Sequence, residues 1–417
     1  MYSVSARAGL TAAAALAAVL VAAGCSSSSS SSSSSAPASA PASSSGSAPA
    51  SSGSASASIS ISDLNNTMSA MANLKSVAAA GKGSIAVILP DTTSSTRYVE
   101  FDAPLLKQAF TAAGLTSADY TIQNALGSPA TQVTDAQTAI TKGASVLVID
   151  PLDSGTGAHI ESLAKSHGVA VIDYDRLTLG GSRSYYVSFD NVKVGQVMGQ
   201  GLVSCIASWG VKSPNVIVMK GAPTDNNATL FAQGYDGVMA PFFSSKKWVE
   251  VSQPAGTWDP PTALSEFQQQ YTAHKNINAA LIPNDENGAP IIHYLQGQGV
   301  KAKTFPVTGQ DATLTGLQNI LTGYQCGTVY KPIFLEAEAA AALSVYVRAG
   351  QTPPASLVNG ATQDTTAKVS VPSVLLNPEW VTTTNMNSTI IADKFVPASQ
   401  LCAGSFAAAC KTAGISS

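Results

Sequence analysis

Apolar residues fall along this chain in short unbroken runs, separated by longer stretches where they recur every three or four positions. Residues 84–89 (SIAVIL) form one such run between Gly83 and Pro90, the pattern of a strand buried on both faces. Comparable runs stand at 120–124, 146–150, 169–174 and 185–189. Helical patterns lie between them at 101–113, 132–142 and 159–167, the last two closed by Gly143 and Gly168. After 189 the scheme begins again. Strands are predicted at 216–219, 248–252, 279–282, 306–308 and 328–330, with helices at about 230–239, 261–274, 289–298 and 314–321. An alanine-rich helix at 334–349 comes next, followed by 369–376 and the tail, and 63–80 reads as an amphipathic helix carrying Leu64, Met68 and Met71 on one face. Strands that alternate with helices imply parallel sheets covered on both faces, so the expected fold class is α/β with two Rossmann-like lobes.

The joint between the two runs is 185–195, YYVSFDNVKVG. It starts as a strand and ends in Asp190-Asn191, a good N-cap pair for a helix starting at Val192. A strand that feeds a helix of the next domain is expected to act as a hinge.

The first sixty residues follow a different pattern. Residues 1–25 read as an export signal, with Arg7 in the n-region and an apolar core from 10 to 23 that is too short to span a bilayer of ~30 Å. Its end, VAAGC, resembles the lipobox of bacterial lipoproteins, which implies that Cys25 becomes a lipid-bearing N-terminus. Ala22 stands where Leu is usual, and ordinary cleavage of a secreted protein is the alternative. The Ser/Ala/Pro tract at 26–60 has almost nothing to bury and is expected to be a disordered tether. As a flexible coil it would reach roughly 30 Å.

Composition narrows the function classes. A net charge of −3 over 417 residues offers no basic face for nucleic acid and no polybasic patch for membranes. The histidines, His159, His167, His274 and His293, lack metal-ligand spacing, so neither metal nor cofactor is expected. Outside the cytoplasm Cys205, Cys326, Cys402 and Cys410 suggest disulfides, with Cys402–Cys410 the sequence-local choice, leaving Cys205 for Cys326.

Candidate chemistry gathers just after the predicted strands: Arg97-Tyr98, Asp175-Arg176, Asp225-Asn226-Asn227, Trp258, Asn284-Asp285, Gln310-Asp311 and Lys331. Any one of these could be a helix cap, a solvated charge or a core aromatic. Their recurrence at one topological place, where open α/β sheets hold ligands, favours a site. Asp, Asn and Arg match vicinal hydroxyls, and Trp offers a flat face to a pyranose ring. There is no phosphate-binding Gly-rich loop and no Gly-x-Ser-x-Gly elbow. A neutral polyol or sugar suits the set best.

The segments VIDYDR (171–176), YYVSFDNVKVG (185–195), APTDNNATLF (222–231), GTWDP (256–260), PND (283–285), VTGQDATLTGLQ (307–318) and TVYKP (328–332) resemble the sugar-binding type I periplasmic binding proteins of ABC transporters. The resemblance is closest to the D-xylose-binding group and spans about 80–380. It implies ligand contacts from Arg97, Asp175 and Arg176 on the first lobe and from Asn227, Trp258 and Asn284 on the second, with Asp225 close by. Asp311 and Lys331 would lie near the hinge, and Tyr98 stands where a Trp is common. Glu286-Asn287-Gly288-Ala289-Pro290 replaces a smaller, glycine-rich helix start.

The resemblance further implies three hinge crossings, after Asp190, near Lys331 and near Pro372. The lobes would then be 83–190 plus 332–371 and 191–331 plus 372–417. The expected protein is a monomeric, lipid-anchored receptor on the outer face of a bacterial cell membrane. It binds a monosaccharide, D-xylose or a similar aldose, and passes it to a permease by hinge closure. Rivals are a sensory protein that presents sugar to a membrane receptor and a glycosidase using Asp175, Asp225 or Asp311. Planar Arg and Asn partners would hold such carboxylates as acceptors, which argues against the enzyme. An export signal where a DNA-binding headpiece would stand argues against a transcriptional regulator.

Overall fold

The structure is a computed structural model that describes residues 58–416; the predicted signal, Cys25 and most of the predicted tether lie outside the described residues. In chain order the first lobe is built from α1 (Lys75–Ala80), β1 (Ser84–Leu89), α2 (Ala103–Ala112), β2 (Tyr120–Asn124), α3 (Pro129–Thr141), β3 (Ala144–Ile149), α4 (Ser154–Ser166), β4 (Ala170–Tyr174) and β5 (Tyr185–Phe189). The second lobe begins with α5 (Asn191–Ser208), β6 (Asn215–Val218), α6 (Asn226–Ser244), β7 (Val249–Ser252), α7 (Pro260–Ala273), β8 (Ala279–Leu281), α8 (Asp285–Gly297), α9 (Leu314–Thr322) and β9 (Thr328–Tyr330). The chain then returns as α10 (Ile333–Arg348), β10 (Gly360–Asp364) and β11 (Val369–Leu376), and crosses again to β12 (Glu379–Val381).

The first sheet has the order β10-β11-β5-β4-β3-β1-β2, parallel except for the β10–β11 edge. From Ile85 to Leu89 every residue of β1 is buried, as a strand with helices on both faces must be. The second sheet is β7-β6-β8, extended by single bridges from Ala280 to Val307 and from Gln310 to Val329, with β12 antiparallel to β9.

Several expectations change. The span 63–80 is not one helix: short 3₁₀ turns at Ile61–Asp63 and Ser69–Leu74 precede α1, and Met68 breaks the run with φ 55. Leu64, Met68 and Met71 are nonetheless buried, so the apolar pattern located the packed face but not the backbone path. Ile59 is fully buried and Ile61 donates its N–H to Ser356, so the packed body starts before the predicted end of the tether at 60. Residues 306–308 make a single bridge instead of a strand; Pro306 has no N–H to give. β11 pairs with β5 as far as Leu376, so the third crossing lies at Asn377-Pro378 and not near Pro372. Val371, Val374 and Leu376 are buried in the first lobe and hold the strand there.

At the hinge, Asp190 caps α5 by accepting from the Lys193 N–H at 3.0 Å, and its own N–H donates to the Leu376 carbonyl at 2.9 Å. Two crossings are thus joined directly. Beyond the hinge, Trp380 of β12 lies between Gly201 of α5 and Gly327, where a Cβ would stand 2.5 and 2.4 Å from its ring; only glycine leaves that space. Cys205 of α5 is bonded to Cys326, and Cys402 to Cys410 within the C-terminal segment that packs on α9.

Closing a loop of 121 residues constrains the unfolded chain more than closing one of 8. Replacing Cys205 and Cys326 together by Ala is expected to lower stability by roughly 5 kcal/mol, against roughly 2.5 for Cys402 and Cys410. Denaturant titration of both double variants checks the order.

Candidate functional site

The site is built around Asp175, the residue after β4. It holds φ at 56, in the left-handed region that a non-glycine residue occupies at some cost. Its carbonyl oxygen accepts three hydrogen bonds of 2.8 Å, from the Tyr186 hydroxyl, the Ser188 hydroxyl and Asn227 Nδ2. β5 and α6, on opposite sides of the hinge, therefore fix one turn together. Asn191 supports this arrangement by donating Nδ2 to Tyr186 Oη at 3.0 Å and to Asn227 Oδ1 at 2.9 Å.

The Asp175 carboxylate faces a concentration of positive charge. Arg97 Nη1 lies 3.0 Å from Oδ1, Tyr98 donates its hydroxyl to Oδ2 at 2.9 Å, and Lys331 Nζ is 3.9 Å away. Burial raises the acid's pKa, but Arg97, Lys331, Arg176 and the Tyr98 hydrogen bond outweigh it and bring the carboxyl down to about 2. Arg97 is held from behind by a bidentate pair with Asp102, at 2.9 and 2.7 Å, and by Glu336 of α10. Tyr174 also donates to Asp102. Burial pushes Glu336 up to about 8, and its Oε1 has no hydrogen-bond partner.

Arg176 reaches Tyr98 Oη at 3.1 Å and Ser94 Oγ at 3.3 Å. Its Nε lies 3.6 Å from both Asp150 and Asp225. The Arg176 guanidinium therefore bridges the first lobe to a carboxylate of the second. Burial raises Asp225 although Arg176 opposes it.

On the second lobe, Asp225 caps α6 through the Asn227 N–H and accepts from Trp258 Nε1 at 3.0 Å. The indole lies against Gly221, where a Cβ would stand 2.1 Å from Trp258 Cζ2, so glycine there lets the ring lie flat. Asn284 caps α8 with Oδ1 and sends Nδ2 across the cleft to the Ser94 carbonyl at 2.9 Å. Asp311, with φ 86, accepts from Ser95 Oγ at 3.0 Å while its Oδ1 stands 3.0 Å from Lys331 Nζ.

These side chains line one narrow space between the lobes. All ten ligand-site residues named from the sequence (Arg97, Tyr98, Asp175, Arg176, Asp225, Asn227, Trp258, Asn284, Asp311 and Lys331) line it. Gln310, named from the sequence beside Asp311, lines it too, as do Ser94, Ser95 and Phe231, which were not singled out. Phe231 and Gln310 sit inside segments that carry the family resemblance, and the two serines lie in the loop after β1 with Thr96 between them and Arg97. Asp190 is not among the lining residues, and Asn191 acts behind it through Asn227. Among the described residues no group of three or more His, Cys, Asp and Glu could hold a metal ion.

A closed cleft between two α/β lobes, lined from both sides, is the arrangement of a solute receptor. Residues 85–352 match the periplasmic binding protein domain. The chain belongs to the periplasmic binding protein family. The D-xylose-binding periplasmic protein of Escherichia coli K12 is 36% identical over 283 residues, 67% of this chain and 82% of that protein. The multiple sugar-binding periplasmic receptor of Rhizobium radiobacter is 31% identical over 338 residues, 78% of this chain and 93% of that one. Among solved structures, a carbohydrate transporter solute binding protein from Chloroflexus aurantiacus in complex with D-glucose shares 26% of its sequence at a TM-score of 0.67, covering 76% of this chain and 97% of that one. These relatives are solute-binding proteins and not enzymes, and the family works outside the cytoplasm. No helix among the described residues is long and apolar enough to cross a membrane.

Burial also raises Asp285 to about 7 and Glu286 to about 8, so with Glu336 the cleft holds carboxyls that bind protons more tightly folded than unfolded. Their stabilising share is complete below the unfolded values near 4 and is lost as pH rises through 7 to 8. Asp175 runs the other way: its share is present above 3.8 and is lost as pH falls through about 2. Thermal melts across pH are expected to peak between about 4 and 5, and Glu336→Gln should flatten the decline on the alkaline side.

Proposed function

We propose that this periplasmic binding protein is the sugar receptor of an ABC importer, taking a monosaccharide, D-xylose or a similar aldose, into the cleft and delivering it to a permease. The observation that carries the reading is the balance of the lining: Arg97, Arg176 and Lys331 stand against Asp175, Asp225 and Asp311. Three fixed cations among three carboxylates leave no net charge for an ionic ligand to neutralise. They leave an array of paired donors and acceptors suited to hydroxyl groups, with the Trp258 face beside them for the C–H side of a ring. Relatives named for D-xylose, for several sugars and for bound D-glucose support an aldose.

Closure follows from the same contacts. Asn284 to Ser94, Asp311 to Ser95 and Arg176 to Asp225 all join the lobes, so a ligand that completes this network favours the closed form. The receptor would be held to the outer face of the membrane by lipid on Cys25. A sensory role is the second reading, because the Rhizobium radiobacter relative is named a receptor.

A thermal-shift panel of pentoses and hexoses, followed by calorimetry, tests the ligand. Asp175→Asn and Trp258→Ala are each expected to weaken the best sugar by about 10- to 100-fold, from the loss of charge-assisted hydrogen bonds or of stacking. Unchanged affinity in both would remove the site assignment. The anchor is checked separately. Cys25→Ala is expected to release the protein from membranes into the soluble fraction, and an unchanged distribution would refute lipid attachment.

A further inference from the structure

Glu286 belongs to the stretch where this chain departs from the family pattern, and nothing in the binding reading uses it. It stands in the first turn of α8, one of the second lobe's helices, and reaches the first lobe. Its Oε1 accepts from the Thr96 N–H at 2.8 Å and from Ser95 Oγ at 3.1 Å, while Oε2 accepts from Asn284 Nδ2 at 3.1 Å. Ser95 and Asn284 both line the inner cleft. On its other side Glu286 lines a second, larger space of ≈ 730 Å³, partly open to solvent. Thr96, Glu100, Thr313 and Thr315 supply polar groups to that outer chamber, and Pro260 and Ala289 supply apolar surface.

We infer that Glu286 is the wall that limits the site to a single sugar ring, and that the outer chamber behind it is a latent subsite for a neutral second ring or aglycone. This deepens the sugar-binding reading and rests on it. The outer chamber carries hydroxyls and no cation among its lining residues, while Glu100 and Asp285 also face it, so phosphorylated or uronic acid substituents are disfavoured there. A glycine-rich helix start at this position would have no side chain to reach Ser95 and Thr96. The Ser95–Asp311 contact at 3.0 Å and the Asn284–Ser94 bond at 2.9 Å would remain between the lobes there. Burial and the neighbouring Asp311 charge push the Glu286 carboxyl up to about 8, so at neutral pH it is largely protonated and glutamine is a close replacement.

The test is calorimetry of the whole mature protein and of Glu286→Gln and Glu286→Gly. The probes are D-xylose or D-glucose, whichever binds the wild type more tightly, its methyl β-glycoside, and its β-1,4-linked disaccharide. The wild type and Glu286→Gln are expected to prefer the free aldose by at least about 100-fold, and Glu286→Gly to narrow that preference to about tenfold or less. A wild type that already binds the glycosides as well as the aldose overturns the wall. So does a Glu286→Gly variant that keeps the wild-type ratio, and Glu286→Ser gives the same readout should the glycine variant not fold. A wild type that binds neither aldose removes the sugar reading itself, which separates that failure from failure of the wall.

Discussion

One buried turn, Asp175, ties the ligand cleft to the hinge. Its carboxylate is stable in the interior only because Arg97, Lys331 and Tyr98 surround it. Its carbonyl is held by Tyr186 and Ser188 on one side of the hinge and by Asn227 on the other. The left-handed backbone at this residue persists because six groups over-determine it. Removing any second-lobe partner would loosen the turn as well as the cleft, so recognition and closure draw on the same bonds.

Around this turn the charges fall into two shells. The inner shell of Arg97, Arg176, Lys331, Asp175, Asp225 and Asp311 is balanced. Behind it stand only carboxyls: Asp102 and Glu336 against Arg97, Asp150 against Arg176, and Asp285 under α9. Burial raises Asp150, Asp285 and Glu336, so these backing acids hold their protons more tightly than exposed carboxyls while they orient the cations. Arginine forks aimed by backing acids are rigid donors, and rigid donors discriminate among hydroxyl arrangements.

Much of this was legible in the sequence for an identifiable reason. Doubly covered parallel strands must be short and apolar, and β5 occupies the span read from the pattern, 185–189. Ligand residues in such a fold follow strand ends, which is why all ten candidates line one cavity. What escaped depends on tertiary context. β10 is a polar edge strand, GATQD, with no apolar alternation to announce it. The left-handed break at Met68 follows from packing onto the first lobe, since the local sequence continues a helical pattern. Ser94, Ser95 and Glu286 acquire meaning only when the lobes meet, because their partners are 190 or more residues away. The misplaced third crossing has a similar origin. Pro372, where the resemblance placed that crossing, sits in β11 opposite Ala361, in a strand carried by its buried neighbours.

The Cys205–Cys326 bond and the Trp380 ring bear on how such a molecule can move. The disulfide clamps the helix that leaves the first crossing to the strand that approaches the second, and the indole wedges the segment leaving the third between them. Three separate connections could each twist or slide in their own way. Clamped just beyond the hinge, they enter the second lobe as one joined unit, which favours a swing about one axis over independent shear of each connection. A receptor whose closed shape is the signal gains from this, because a single angle then reports whether the cleft is occupied.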